Sequence, residues 1–235
     1  MSEKWYNEII EYTGKNAWVQ TNPLTWFEAD DYQNKTGQKP PMEDLFTYLS
    51  NGIVDGGIDY CIQQYAKIRL DALILLPGNS FFIEKIASPL KYAICNYMLR
   101  NSLGTVVLCG IIGEMMINLT FEVWNEEESK KRMDESEQQK TFGRKFEDLN
   151  QKKKISGLFR KEIISEKSRD YLERIREIRN EYVHFYSKDP KDIDKDALEI
   201  FKFTNKMIEE ILHLEFKNKK GWMNTHFVNY VKKRT

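Results

Sequence analysis

The sequence predicts an all-α fold, a helical bundle preceded by an N-terminal extension, and three observations carry that prediction. Apolar residues recur at three- and four-residue spacing through most of 58–216, the period of helices that bury one face. Strand-like alternation is almost absent, and no longer internal repeat is present. With 41% hydrophobic and 31% charged residues, 12 Gly and 6 Pro in 235 residues, the chain can bury a core without a metal or disulfide staple. Collagen-like, disordered and disulfide-scaffold classes are thereby excluded.

The elements follow in order. The first 45 residues read as irregular, because Asn22-Pro23, Thr36-Gly37 and Pro40-Pro41 are turn signals. Their Trp5, Trp18, Trp26 and Phe27 predict a strap packed on something larger. A first helix is expected from Ile58 to Leu75, with Ile62, Tyr65, Ile68, Leu70 and Leu73 near one stripe, ended by Pro77-Gly78-Asn79. A second runs from Ser88 to Arg100, tolerating Pro89 in its first turn and burying Tyr92, Ala93, Cys95, Met98 and Leu99. The third, Ser102 to Trp124, is the most apolar. Its Gly104, Gly110 and Gly113 admit a neighbouring helix closely, at about 1 kcal/mol of helix propensity each. Its core, VVLCGIIGEMMINL (106–119), is too short to span a bilayer and carries Glu114.

The stretch 125–141 has no apolar face and reads as a solvated helix end or a loop. Phe146, Leu149, Ile155 and Leu158 mark a short element after it. Ser165 is a good N-cap for a helix through about Tyr186, whose stripe is Leu172, Ile175, Ile178, Tyr182 and Phe185 and whose end is Asp189-Pro190. A last helix from Ile193 to Phe216 turns Leu198, Phe201, Ile208, Ile211 and Leu212 inward. The chain divides into an extension (1–84), the bundle (85–216) and a basic, aromatic tail (217–235).

Net charge is zero, from 36 basic and 36 acidic residues. The distribution is uneven: 121–139 holds 7 acids and 3 bases, 151–180 holds 10 bases and 5 acids, and 216–235 holds 6 bases and no acid. Local fields, not the total, decide where a phosphate would bind. Cys61, Cys95 and Cys109 lie in apolar stretches without a C-x-x-C pair, as expected of buried thiols in a reducing compartment and not of a zinc site. The start MSEKWYNEII has no basic segment leading into an apolar run. A cytoplasmic protein with no membrane partner is expected.

The chemistry concentrates in Arg174-Ile175-Arg176-Glu177-Ile178-Arg179-Asn180-Glu181-Tyr182-Val183-His184-Phe185-Tyr186. On a helix Glu177, Asn180 and His184 stack at i, i+3 and i+7, while Arg179 and Tyr186 share another face. Asn180 is placed to orient the His184 ring. A histidine moves its proton near neutral pH and an arginine fork suits a phosphate. Together they supply what metal-free cleavage of RNA needs, a proton shuttle for the ribose 2′-OH and a clamp for the phosphoryl oxygens. A second reading fits the same spacing, in which the histidine is a dipole partner at a helix C-terminus and the Arg/Glu alternation is a solvated face.

RNEYVHFY (179–186) resembles the R-x-x-x-x-H signature of the HEPN superfamily, including the extended R-x-x-x-x-H-x-Y form of HEPN toxins paired with nucleotidyltransferase antitoxins. The lead-in from Phe146 through Ile178 and the upstream GTVVLCGIIGEMM are similar to the helices of bacterial HEPN proteins, so the resemblance covers about 85–215. It implies a HEPN-like helical bundle, a homodimer with two motifs facing one cleft, and metal-independent ribonuclease activity in toxin or phage-defence roles. It further implies catalytic roles for Arg179 and His184, support from Asn180, and in Tyr186 the tyrosine that such antitoxins modify with AMP. The chain departs from the short toxins in its length, its extension and the 125–141 insert. The rival reading is a non-catalytic HEPN module that binds RNA, nucleotide or a protein partner.

Glu114 in its apolar helix needs a cation or an exposed position, and a salt link to Arg179 is the functional alternative. Glu177 is a further supporting residue, and Arg176, Lys220 and Trp222 are the expected RNA contacts. In the tail, bases alternate with Trp222, Phe227 and Tyr230, which suits single-stranded RNA and equally suits a docked C-terminus. His213, beside Glu209 and Glu210, reads as part of a solvated face. No P-loop, G-x-G-x-x-G, H-E-x-x-H or G-x-S-x-G occurs, so neither a cofactor nor a metal is expected.

Overall fold

The computed structural model describes residues 7–10, 18–20, 57–69, 71, 74–78, 80–127, 134–183, 192–217 and 220–233. These are mostly helical, and the fold is all-α. Strands β1 (Asn7–Ile10) and β2 (Trp18–Gln20) lie in the stretch expected to be irregular. Each is only three or four residues long, too short to show alternation in sequence. Trp5, Trp26 and Phe27 lie outside the described residues.

Helix α1 (Gly57–Ile68) buries Cys61, Gln64 and Ile68. It stops well before Leu75, because Leu75–Pro77 forms β3 and pairs antiparallel with β2, Val19 opposite Leu76. A short apolar run fits helix and strand alike, and the partner strand decides. The expected stripe is also rotated, with Ile62 38% exposed; Leu70 and Leu73 lie outside the described residues.

Helix α2 (Ser88–Met98) continues from a helical turn, Ser80–Phe82, through a π-helical turn, Ile83–Ala87. Its buried face is Leu90, Ala93, Ile94, Tyr97 and Met98, whereas Tyr92, expected inside, is 63% exposed.

Helix α3 (Ser102–Glu127) is the spine of the bundle, touching α2 and four helices that follow. Its apolar run extends beyond 106–119 and, contrary to expectation, is long and apolar enough to cross a membrane. Most of that window, 61%, is buried inside the protein, which accounts for the hydropathy as that of a core helix.

The stretch expected to be a helix end or loop holds a separate helix, α4 (Glu135–Phe142). Asp134 accepts from the Glu137 N–H and Glu137 from the Asp134 N–H, a reciprocal capping box. Gly143, at φ +78, closes it in the left-handed conformation. Helix α5 (Gln151–Arg160) is capped by Asn150 and buries Ile155 and Leu158. Phe146, ahead of it, stacks on Phe121 of α3 with ring centroids 3.9 Å apart.

Helix α6 (Glu166–Val183) starts as expected, with Ser165 Oγ accepting from the Ser168 N–H. Leu172, Ile175, Ile178 and Tyr182 are buried along one stripe, against α3 and the next long helix. Phe185 and Asp189-Pro190 lie outside the described residues. Helix α7 (Ile193–Leu212) turns Phe201, Ile208, Ile211 and Leu212 inward, with Leu198 half-buried. It ends at His213, at φ +48, and not at Phe216.

Beyond that turn come strands β4 (Glu215–Lys217) and β5 (Lys220–Asn224), then helix α8 (Thr225–Lys232). The sheet order is β1-β5-β4, all antiparallel, so the N-terminal strand closes on the C-terminal one, Ile9 opposite Trp222. The tail is therefore docked. Met223, Phe227, Val228, Tyr230 and Val231 are buried, and the Tyr230 hydroxyl donates to Glu122 of α3.

Candidate functional site

The site is built where α6 crosses α3. The stripe of Ile175, Ile178 and Tyr182 fixes the rotation of α6 and leaves Arg179 at the edge of the buried face. Two glycines of α3 make the crossing close. A Cβ at Gly113 would lie 3.1 Å from Ile175 Cγ2, and one at Gly110 would lie 2.5 Å from Arg179 Cγ. Gly104 has another role, since a Cβ there would strike the Asn96 and Asn101 side chains.

With its stem on Gly110, Arg179 brings Nη1 to 3.0 Å from Glu114 Oε1. Nη1 also lies 3.5 Å from Asn180 Oδ1, at the outer limit of a hydrogen bond. The Arg179 side chain is 26% exposed and that of Glu114 41%. A pair this open to solvent contributes only about 0–1 kcal/mol. Its effect is to aim the guanidinium while leaving part of the fork in contact with solvent.

The other expected residues fall as follows. Glu177 is exposed, 3.8 Å from both Arg174 and Arg176. The Arg176 Nε–H donates to Glu173 Oε2 at 2.6 Å, so the fork expected to meet RNA is engaged along its own helix. Arg174 reaches across to Glu199 of α7 at 2.8 Å. His184 and Tyr186 lie outside the described residues. Lys220 and Trp222 belong to β5, on the sheet and not on the α3–α6 crossing, with Lys220 opposite Lys217 and Trp222 half-buried between Ile9 and Glu215.

One residue near the motif escaped the sequence reading. Asp196, 5% exposed in the first turn of α7, accepts from the Tyr182 hydroxyl at 2.6 Å. It ties down α6 two residues before His184. An acid early in a helix reads as a dipole partner, so its burial left no separate signal.

His213 does not lie on a solvated face. It is half-buried at the α7 terminus, and burial pushes its pKa below the ordinary value, against the pull of Glu210 and Glu215. His226 is half-buried in the first turn of α8. The three cysteines are free; burial pushes Cys95 up to about 11 and Cys109 up to about 12, which keeps both thiols protonated at neutral pH. Among the described residues no group of three or more His, Cys, Asp or Glu side chains is placed to hold a metal ion.

A family model described as a domain of unknown function (DUF4145) matches residues 115–224. That span runs from Met115 in α3 to Asn224 at the end of β5. It takes in Arg179 and His184 and begins one residue after Glu114. No curated protein and no solved structure matches the chain.

Proposed function

We propose that the protein is a metal-independent endoribonuclease of the HEPN type, acting as a homodimer, with a toxin or phage-defence role. The observation that carries this reading is the placement of Arg179. A residue of the R-x-x-x-x-H pattern sits at a helix crossing opened by Gly110, partly exposed and aimed by Glu114. Arg179 would stabilise charge on the phosphoryl oxygens, and His184 would shuttle protons at the ribose 2′-OH and the leaving oxygen. Asn180 supports the arginine's end of the site. One Arg–His pair offers few groups for both proton transfers, and two facing copies supply both.

Incubation with single-stranded RNA in EDTA tests the activity. The wild type should cut, and His184→Ala should lower the rate by about 10²–10⁴-fold while helix content stays unchanged. Arg179→Ala should act likewise, and light scattering at micromolar concentration should show a dimer. If a neighbouring nucleotidyltransferase is the antitoxin, ATP and that enzyme should add an adenylyl mass at Tyr186 and silence the cut.

The Arg179–Glu114 pair also favours a second reading, a non-catalytic module, since an arginine satisfied within the protein needs no substrate. RNA binding without cleavage, with or without Mg²⁺, would establish that reading in place of the first.

A further inference from the structure

We propose that the groove between α4 and α5 is a separate anion site that anchors the phosphodiester backbone of single-stranded RNA; the identity of the anion rests on the RNA reading above. The groove encloses about 490 Å³ and is lined by Arg144, Lys152, Lys153 and Arg160, with Ser156 and Phe142 between them and no carboxylate.

What sets these four cations apart is that they share one concavity with no carboxylate in its lining. Several other basic side chains of the bundle have carboxylate partners: Lys145 has Glu135, Arg169 has Glu166 and Asp170, Arg174 has Glu199, and Arg176 has Glu173. Among the described residues none of the groove's four makes a side-chain ion pair. All four are exposed. Like charges held around one concavity repel one another and focus a positive potential there, which an entering polyanion relieves.

The shape fits a strand better than a single small anion. Lys152, Ser156 and Arg160 follow one face of α5 at four-residue steps, so the cationic edge runs about 12 Å at 1.5 Å per residue. Phe142 contributes a half-buried ring beside the cations, and bases of single-stranded nucleic acid stack on such rings while the backbone follows the charges. Lys154, on the opposite flank of α5, is turned instead to Asn118 of α3 at 3.0 Å, one helical turn beyond Glu114. The side of α5 that lines the groove is thus not the side from which Lys154 reaches α3.

The test is fluorescence anisotropy of the full chain with a labelled single strand of 2′-O-methyl RNA, which lacks the attacking hydroxyl and stays intact. The Arg144→Ala/Lys152→Ala/Lys153→Ala/Arg160→Ala variant should bind at least about tenfold more weakly than wild type. Its slope of log affinity against log salt should be shallower by about 3, from about 0.7 per lost phosphate contact. A Lys85→Ala/Lys195→Ala/Lys206→Ala control should retain wild-type affinity. Unchanged affinity and slope in the groove variant would overturn the proposal, as would an equal loss in the control. AMP displacing the strand at equal phosphate concentration would overturn it in favour of a mononucleotide pocket. Groove-dependent binding to anionic vesicles without groove-dependent RNA binding would overturn it in favour of a membrane surface. Cleavage of unmodified RNA is read separately. A nuclease whose affinity ignores the groove keeps the activity and loses the anchor, and binding without cleavage does the reverse.

Discussion

Gly110 and the stem of Arg179 occupy space that admits only one side chain. Gly110→Ala places a Cβ 2.5 Å from Arg179 Cγ, close to the backbone of α6, where the chain has little freedom to yield. The substitution gains about 1 kcal/mol of helix propensity and costs about 1–3 kcal/mol in overpacking. The expected outcome is a small loss of stability in a denaturant titration together with a large loss of the proposed RNA cleavage, because the guanidinium is moved off Glu114. Glu114→Gln keeps the shape and removes the charge; its stability should change by less than about 1 kcal/mol, so a fall in cleavage would report on aiming. A thiol reagent gives a further residue-scale check. Cys109, wholly buried and with its pKa pushed up to about 12, should react only on unfolding.

Among the elements, α6 and α4 are held in opposite ways. Ser165 both accepts from the Ser168 N–H and donates to Glu210 Oε1 of α7 at 2.9 Å, so it caps α6 and joins two core helices. Ser165→Ala should lower global stability by about 1–2 kcal/mol, measured by urea denaturation. Helix α4 buries no residue and owes its start to the capping box. Asp134→Ala should therefore speed hydrogen exchange across 135–142 while the global unfolding midpoint stays almost unchanged.

On the scale of the whole molecule, the turn at His213 sends the chain from α7 into the sheet that joins its two ends. Burial lowers this histidine's pKa in the folded state. The unfolded chain then binds more protons than the folded one in the window below about 6.5, so stability falls as pH drops through it. Asn tolerates the left-handed backbone at this position. His213→Asn should consequently show a flatter decline in melting temperature on acidification than wild type, and parallel declines would refute the assignment.

Periodicity was enough to read the long helices, because burying one face of a helix is a local demand that every third or fourth residue answers. The stripe of α6, its Ser165 cap and the apolar α3 are all legible in this way. So was the Arg179 pattern, and Glu114 stood out as an acid without a visible reason to be there. The pairing of those two residues needed the tertiary structure, since Gly110 and Gly113 set the distance between α3 and α6 and Ile175 and Ile178 set the rotation. The same holds for β1 with β5 and β2 with β3, where each strand is too short to show alternation and exists through a partner distant in sequence. It also holds for the four unpaired cations around the α4–α5 groove. Their residue types are ordinary surface choices; that they gather around one groove is decided only when the helices pack.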